Sequence, residues 1–150
     1  MSTLTSHSYE ETVSYGSCLG DTLAGGELIL LSGQLGSGKT VLTKGIAASL
    51  GIVEVVTSPS FAIMNLYEGR LLLSHFDFYR IDQRAEMEDL LEDYVYRSDC
   101  ICVVEWGDAL TRVLESYIHI HIDIVGDTRN ITESRMDMPG KPQVWRGADT

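Results

Sequence analysis

The sequence predicts an α/β fold: a mainly parallel sheet with antiparallel additions and helices on both faces. Three observations predict it. Gly33-Gln34-Leu35-Gly36-Ser37-Gly38-Lys39-Thr40 fits the pattern G-x-x-x-x-G-K-[ST], a phosphate-binding loop. Residues 27–32 just before it read as a short buried strand, and residues 41–50 just after it read as a helix closed by Gly51. Strand, loop and helix in that order is the context such a loop needs. The third observation is the continuous apolar run from Cys100 to Trp106, broken only by Glu105 near its end, which suits a central strand buried on both faces. Together these make the fold P-loop NTPase-like.

The remaining elements follow in order. Ser8-Tyr9-Glu10-Glu11 reads as a capping box, with Ser8 as N-cap and Glu11 reaching back. The helix it opens runs to about Leu23, with Val13, Leu19 and Leu23 on its buried side, and Gly25-Gly26 stop it. Ile52 to Val56 is short and rich in β-branched residues, and reads as a strand. Thr57-Ser58-Pro59-Ser60 is a loop, because Pro59 biases its predecessor away from helix. Phe61 to Tyr67 and Arg70 to Tyr79 flank Glu68-Gly69, so they read as an antiparallel hairpin. Ile81 to Tyr96 carries Met87, Leu90, Leu91 and Tyr94 at helical spacing. Ala109 to Leu114 reads as a short helix. Tyr117 to Val125 alternates strictly between isoleucines and polar residues, the pattern of a half-buried strand, and Arg129 to Thr132 is placed to pair back after a turn at Gly126-Asp127. Residues 1–132 therefore form one domain. Residues 133–150 lack periodicity and read as a flexible C-terminal tail containing Pro139, Gly140 and Pro142.

Composition narrows the function. No apolar run approaches the length of a membrane span, and the start of the chain has no basic region followed by an apolar core, so the expectation is a cytoplasmic protein. Cys18, Cys100 and Cys102 are an odd set and read as reduced core thiols rather than a disulfide framework or a zinc site. The formal net charge is −11, so the chain is poorly suited to hold a nucleic acid by itself and better suited to a basic protein partner.

The phosphate loop assigns chemistry to particular residues. Its glycines let successive backbone N–H groups point into one concavity. Lys39 supplies a charge for β- and γ-phosphates, Thr40 a hydroxyl for Mg²⁺, and the following helix the positive end of its dipole. Hydrolysis also needs an acid near the metal and a group that positions water. Two acids sit at strand ends, where open α/β sheets place their ligands: Asp77, in His75-Phe76-Asp77-Phe78-Tyr79-Arg80, and Glu105, in Val104-Glu105-Trp106. Asp77 also reads as a turn-side acid paired with Arg80. His119 and His121 share a strand face, but two histidines without a third ligand do not make a metal site. Asp123-Ile124-Val125-Gly126 imitates the D-x-x-G of GTPases, yet no N-K-x-D sequence exists to read guanine.

With these motifs the chain resembles the TsaE family, small P-loop ATPases of bacterial threonylcarbamoyladenosine modification of tRNA. The resemblance spans roughly residues 8 to 132. It rests on the phosphate loop, Thr57-Ser58-Pro59-Ser60-Phe61, the His75 to Arg80 stretch and Val104-Glu105-Trp106, in that order. It implies that Leu35, Gly36, Ser37, Gly38, Lys39 and Thr40 wrap the phosphates of ATP. It implies that Thr40 and Glu105 hold Mg²⁺, that Asp77 sits near the γ-phosphate, and that Lys39, Asp77 and Glu105 carry catalysis. By the same resemblance Trp106 is needed for activity, Thr57 to Ser60 form a switch-like loop, Thr12 lies near the adenine and Arg129 lines the nucleotide pocket. The chain departs from the family at Gln34, where an acid is usual, and at Val41, where a second threonine is usual.

The function implied is a weak, partner-stimulated ATPase that acts with TsaD and TsaB and meets tRNA only through them. Two other readings compete. A non-catalytic module gated by ATP would use the Thr57 loop to dock a partner without turnover. A small-molecule kinase would need a second substrate site and an arginine-bearing lid, for which this chain offers 11 Lys and Arg and no long insert.

Overall fold

The computed structural model describes residues 1–136. Seven strands form one sheet in the order β1-β7-β6-β2-β5-β4-β3. In chain order these are β1 (Ser2–Ser6), β2 (Leu28–Gly33), β3 (Met64–Glu68), β4 (Leu72–Asp77), β5 (Cys100–Glu105), β6 (Tyr117–Val125) and β7 (Thr128–Met136). The helices are α1 (Tyr9–Asp21), α2 (Lys39–Ser49) and α3 (Arg84–Leu91), with a 3-10 turn at Asp108–Arg112. The centre, β6-β2-β5-β4, is parallel; β3, β7 and β1 join antiparallel. Among the described residues, no helix is long and apolar enough to cross a membrane.

Strand periodicity sorts the core into two layers. Ile29 and Leu31 of β2, Ile101 and Val103 of β5, and Ile118, Ile120 and Ile122 of β6 pack under α1 and α2, against Leu19, Leu42 and Ile46. Leu28, Leu30, Phe76, Cys102 and Val104 point the other way and pack on Met87 and Leu91 of α3 and on Leu110. α1 and α2 cross closely because glycines face each other. A Cβ on Gly16 would lie 2.1 Å from the Leu42 carbonyl oxygen, and one on Gly45 would lie 2.1 Å from that of Val13.

The structure departs from the sequence expectations in several places. β1 has no counterpart in the reading of residues 1–7. The α1 cap is shifted: Ser8 Oγ accepts from Glu11 N, but the Glu11 carboxylate accepts from His7 N at 2.6 Å rather than from Ser8 N. Ile52 to Val56 is a loop. Ile52 and Val56 are buried, but Val53, Glu54 and Val55 between them are all exposed, so burial does not alternate, and among the described residues the stretch pairs with no strand. Helix α3 is shorter than Ile81 to Tyr96. Glu92 and Asp93 would sit at its negative dipole end with no basic residue in the last turn, Leu90 is exposed, and Tyr96 takes a left-handed φ of 60°. The Ala109 to Leu114 helix is the 3-10 turn. Cys18 is exposed, unlike Cys100 and Cys102. β7 runs to Met136, past the 132 boundary, because pairing to β6 and β1 supplies the order that periodicity did not announce. The rest of the proposed tail, 137–150, lies outside the described residues.

Candidate functional site

The phosphate loop leaves the carboxyl end of β2 and enters α2. Gly33, Gly36 and Gly38 take φ of 143°, 80° and 113°, conformations costly to other residues. At Gly33 there is also no room: a Cβ would lie 2.5 Å from the Ile122 carbonyl oxygen. α2 begins without a side-chain cap, which leaves its first N–H groups for a ligand. Ser37 Oγ is buried with no hydrogen-bond partner among the described residues, an orphan that suits a polar ligand.

Two clefts, of about 190 and 310 Å³, share Gly36, Gly38 and Val41 and so flank the loop. The first is lined by Ser6, Tyr9, Thr12, Asp127 and Arg129. Thr12 is buried there, with its Oγ1 2.7 Å from Ser6 Oγ. Arg129 Nε donates to the Ser37 carbonyl oxygen at 3.1 Å, tying β7 to the loop. The second is lined by Leu35, Lys39, Thr40, Ser58, Ser60, Asp77, Glu105 and Trp106. Thr57 and Pro59 line neither cleft. Thr57 N donates to the Tyr67 hydroxyl, and the Pro59 carbonyl oxygen accepts from Ile63 N.

Asp77 and Glu105 end adjacent parallel strands in register. Asp77 Oδ1 accepts from Tyr79 N at 2.9 Å and Oδ2 from Ser60 Oγ at 3.2 Å. Arg80 does not pair with it; its guanidinium lies 4.6 Å over the Phe61 ring. Lys39 Nζ donates to the Gly33 carbonyl oxygen at 2.7 Å and lies 4.0 Å above the Trp106 ring centroid. Trp106 has a left-handed φ of 60° and meets Tyr79 edge-on at 4.9 Å. Strained backbone of this kind persists where its surroundings fix it. Burial pulls the Lys39 ammonium below its ordinary pKa, against the opposing charges of Glu105, Asp77 and Asp108.

Among the described residues, no group of three or more His, Cys, Asp or Glu could hold a metal ion. The oxygen donors Thr40, Asp77 and Glu105 around one cleft nonetheless fit Mg²⁺, which binds through one or two carboxylates together with substrate phosphates and water.

The sequence reading missed several participants. Ser6 and Asp127 were invisible because the first reaches the cleft from the edge strand β1 and the second from the β6–β7 turn, both far in sequence from the phosphate loop. His75 Nε2 lies 2.6 Å from Glu105 Oε2, both side chains buried; the available signal was its position two residues before Asp77, on the same strand face. His119 and His121 also have a structural partner: Ser32 Oγ lies 2.9 Å from His119 Nε2 and 2.7 Å from His121 Nδ1. Burial lowers the His119 pKa.

A family model described as threonylcarbamoyl adenosine biosynthesis protein TsaE matches residues 6–134. The chain belongs to the TsaE family. The TsaE family takes part in tRNA threonylcarbamoyladenosine biosynthesis and is P-loop ATPase-like. Proteins similar to this chain carry the name tRNA threonylcarbamoyladenosine biosynthesis protein TsaE. The one from Treponema pallidum is 37% identical over 130 residues, covering 85% of this chain and 96% of its own. The one from Streptomyces coelicolor is 40% identical over 138 residues, covering 87% and 91%. The crystal structure of Bacillus subtilis YdiB superposes with a TM-score of 0.77 at 30% identity, covering 90% of this chain and 85% of that one.

Proposed function

We propose that the protein is an ATP-binding and ATP-hydrolysing accessory subunit in the modification of tRNA adenosine 37, working with TsaD and TsaB. The observation that carries this reading is the grouping of Lys39, Thr40, Asp77 and Glu105 around one cleft at the carboxyl ends of parallel strands. Backbone N–H groups from Leu35 to Thr40 bind the β- and γ-phosphate oxygens. Lys39 leaves Trp106 and adds its charge to them. Thr40 and Glu105 hold Mg²⁺, which supplies charge neutralisation on the phosphate oxygens. Asp77 accepts a hydrogen bond from the attacking water and aligns it with the γ-phosphate. Thr12 and Arg129 flank the nucleoside.

In this reading hydrolysis resets the complex or releases product, while the threonylcarbamoyl transfer itself belongs to TsaD and TsaB. A net charge of −11 supports it, because the tRNA is then held by the partners. The test is reconstituted modification of tRNA with the parent and with Lys39→Ala. The expected result is loss of multiple turnover in the variant; undiminished multiple turnover would overturn the proposal.

One contact favours a second reading, an ATP-gated binding module without required turnover. Ser60 Oγ donates to Asp77 Oδ2 and so latches the Thr57 loop to the carboxylate. Asp77→Ala separates the two: a variant that binds ATP and still supports full modification would favour the module.

A further inference from the structure

Glu105 is held from behind by a histidine that the proposed reaction does not use. His75 on β4 and Glu105 on β5 project from the sheet face that carries α2, as do Leu73, Ile101 and Val103 of the same strands. His75 is 0% exposed, and its Nε2 lies 2.6 Å from Glu105 Oε2. Its Nδ1 has no hydrogen-bond partner among the described residues. A carboxylate that ligates a cation is ionised and can only accept, so Nε2 carries the hydrogen and donates it.

We propose that His75 is a positioning residue for the Glu105 carboxylate. It fixes Oε2 and leaves Oε1 for the cation. The inference rests on the reading of Glu105 as a magnesium ligand and adds what orients it. Magnesium demands near-ideal octahedral geometry at short distance, so a carboxylate free to rotate or to bind through both oxygens is a poor ligand. Hydrogen bonding from behind removes that freedom. Without His75, Glu105 keeps its charge but loses its fixed orientation, and Lys39, which already feels that charge, becomes the competing partner.

The test separates metal binding from nucleotide binding. ATP affinity is measured by calorimetry in EDTA, and Mn²⁺ binding to the protein–ATP complex by electron paramagnetic resonance of free Mn²⁺. For His75→Leu the expected result is Mn²⁺ binding weakened on the order of 10–100-fold, with metal-free ATP affinity within about twofold of the parent. His75→Gln, whose amide nitrogen can occupy the place of Nε2, is expected to restore Mn²⁺ binding. His75→Asn, whose amide reaches only the place of Nδ1, is not, and this polar pair carries the comparison even if His75→Leu fails to fold. Mn²⁺ binding in His75→Leu or His75→Asn as tight as in the parent would overturn the inference, as would an equal loss of metal-free ATP affinity. A parent whose complex with ATP does not take up Mn²⁺ would overturn the metal reading of Glu105, and this inference with it.

Discussion

Lys39 is committed before any nucleotide arrives. A hydrogen bond to the Gly33 carbonyl oxygen and the face of Trp106 hold an ammonium that burial makes costly; a cation over an indole contributes about 0.5–2 kcal/mol. Two phosphates near the loop offer a stronger partner, so in the proposed mechanism binding draws Lys39 off the ring. Titrating ATP into the protein should therefore change indole emission, and the change should vanish in Trp106→Phe, which leaves Trp145 as the only tryptophan. An unchanged signal on replacing Trp106 would refute the displacement. The thiols pose an opposite problem. A hydrogen bond from Cys102 pulls the Cys100 thiol down to about 7, which favours attack, whereas burial denies a reagent access. Access decides, since a thiolate that cannot be reached cannot react. A disulfide reagent should titrate one fast thiol, Cys18, in the native protein and all three after denaturation; fast loss of Cys100 would reverse that ranking. At this scale the phosphate loop was legible because its chemistry is local. His75 was not, because its partner stands diagonally across a neighbouring strand and sequence carries no register.

The element that carries Thr12 into the proposed nucleoside cleft is α1, and two of its contacts can be tested. The first is the glycine crossing with α2. Gly45→Ala would put a methyl group 2.1 Å from the Val13 carbonyl oxygen and 2.8 Å from Ser17 N, backbone atoms that cannot yield alone. Overpacking of this kind costs about 1–3 kcal/mol, roughly 3–10 °C in a domain of this size. Because Thr12 rides on α1, ATP affinity should fall in the same variant, measured by melting and calorimetry; a fall in stability with full affinity would separate α1 from the nucleotide. The second contact is Tyr15, whose hydroxyl donates to Glu133 on β7 at 2.5 Å. Burial, then the Glu133 carboxylate, raise its pKa above the ordinary value of 10.0. Above that value the unfolded chain loses the phenolic proton while the folded chain keeps it, so stability falls as pH rises. Tyr15→Phe should thus lose less stability than the parent between pH 8 and 11 in urea melts; parallel losses would mean that the phenol is not linked to folding. Elements with a long, self-contained signal were readable: Tyr117 to Val125 is β6 to the residue. Ile52 to Val56 misled because β-branched residues suit a strand but say nothing about a pairing partner. The end of α3 misled because apolar spacing persists where the charges no longer suit a helix.

The sheet brings distant segments together at the carboxyl end of β2. Ser6, Thr12 and Arg129 approach from the β1-β7 side, and Asp77 and Glu105 from the β4-β5 side, with the phosphate loop between them. The parallel centre was legible, since buried runs ending in acids announce it. At the antiparallel end the β6–β7 pairing was read from the Gly126-Asp127 turn over Arg129 to Thr132, but β1 was not: it is short and polar, and its partner β7 lies at the far end of the chain, so only long-range pairing reveals it. In the proposed function a nucleotide bridges these two sides of the phosphate loop. The groups proposed to contact ATP lie together only in the folded state and are scattered in the unfolded chain, so in that reading binding is confined to the folded state and stabilises it by mass action. With Mg·ATP at about 100 times its dissociation constant the gain is about 2.7 kcal/mol, roughly 5–10 °C for a domain of this length. Arg129→Ala weakens the bridge from one side and Glu105→Gln, which impairs the proposed Mg²⁺ contact, from the other. Each should reduce the thermal shift at fixed ATP concentration, and Lys39→Ala, which removes the charge between them, should reduce it most. A thermal shift that survives on one side of the loop when the other is cut, undiminished, would mean that the nucleotide is held by the loop alone and that the two halves of the sheet do not cooperate in holding it.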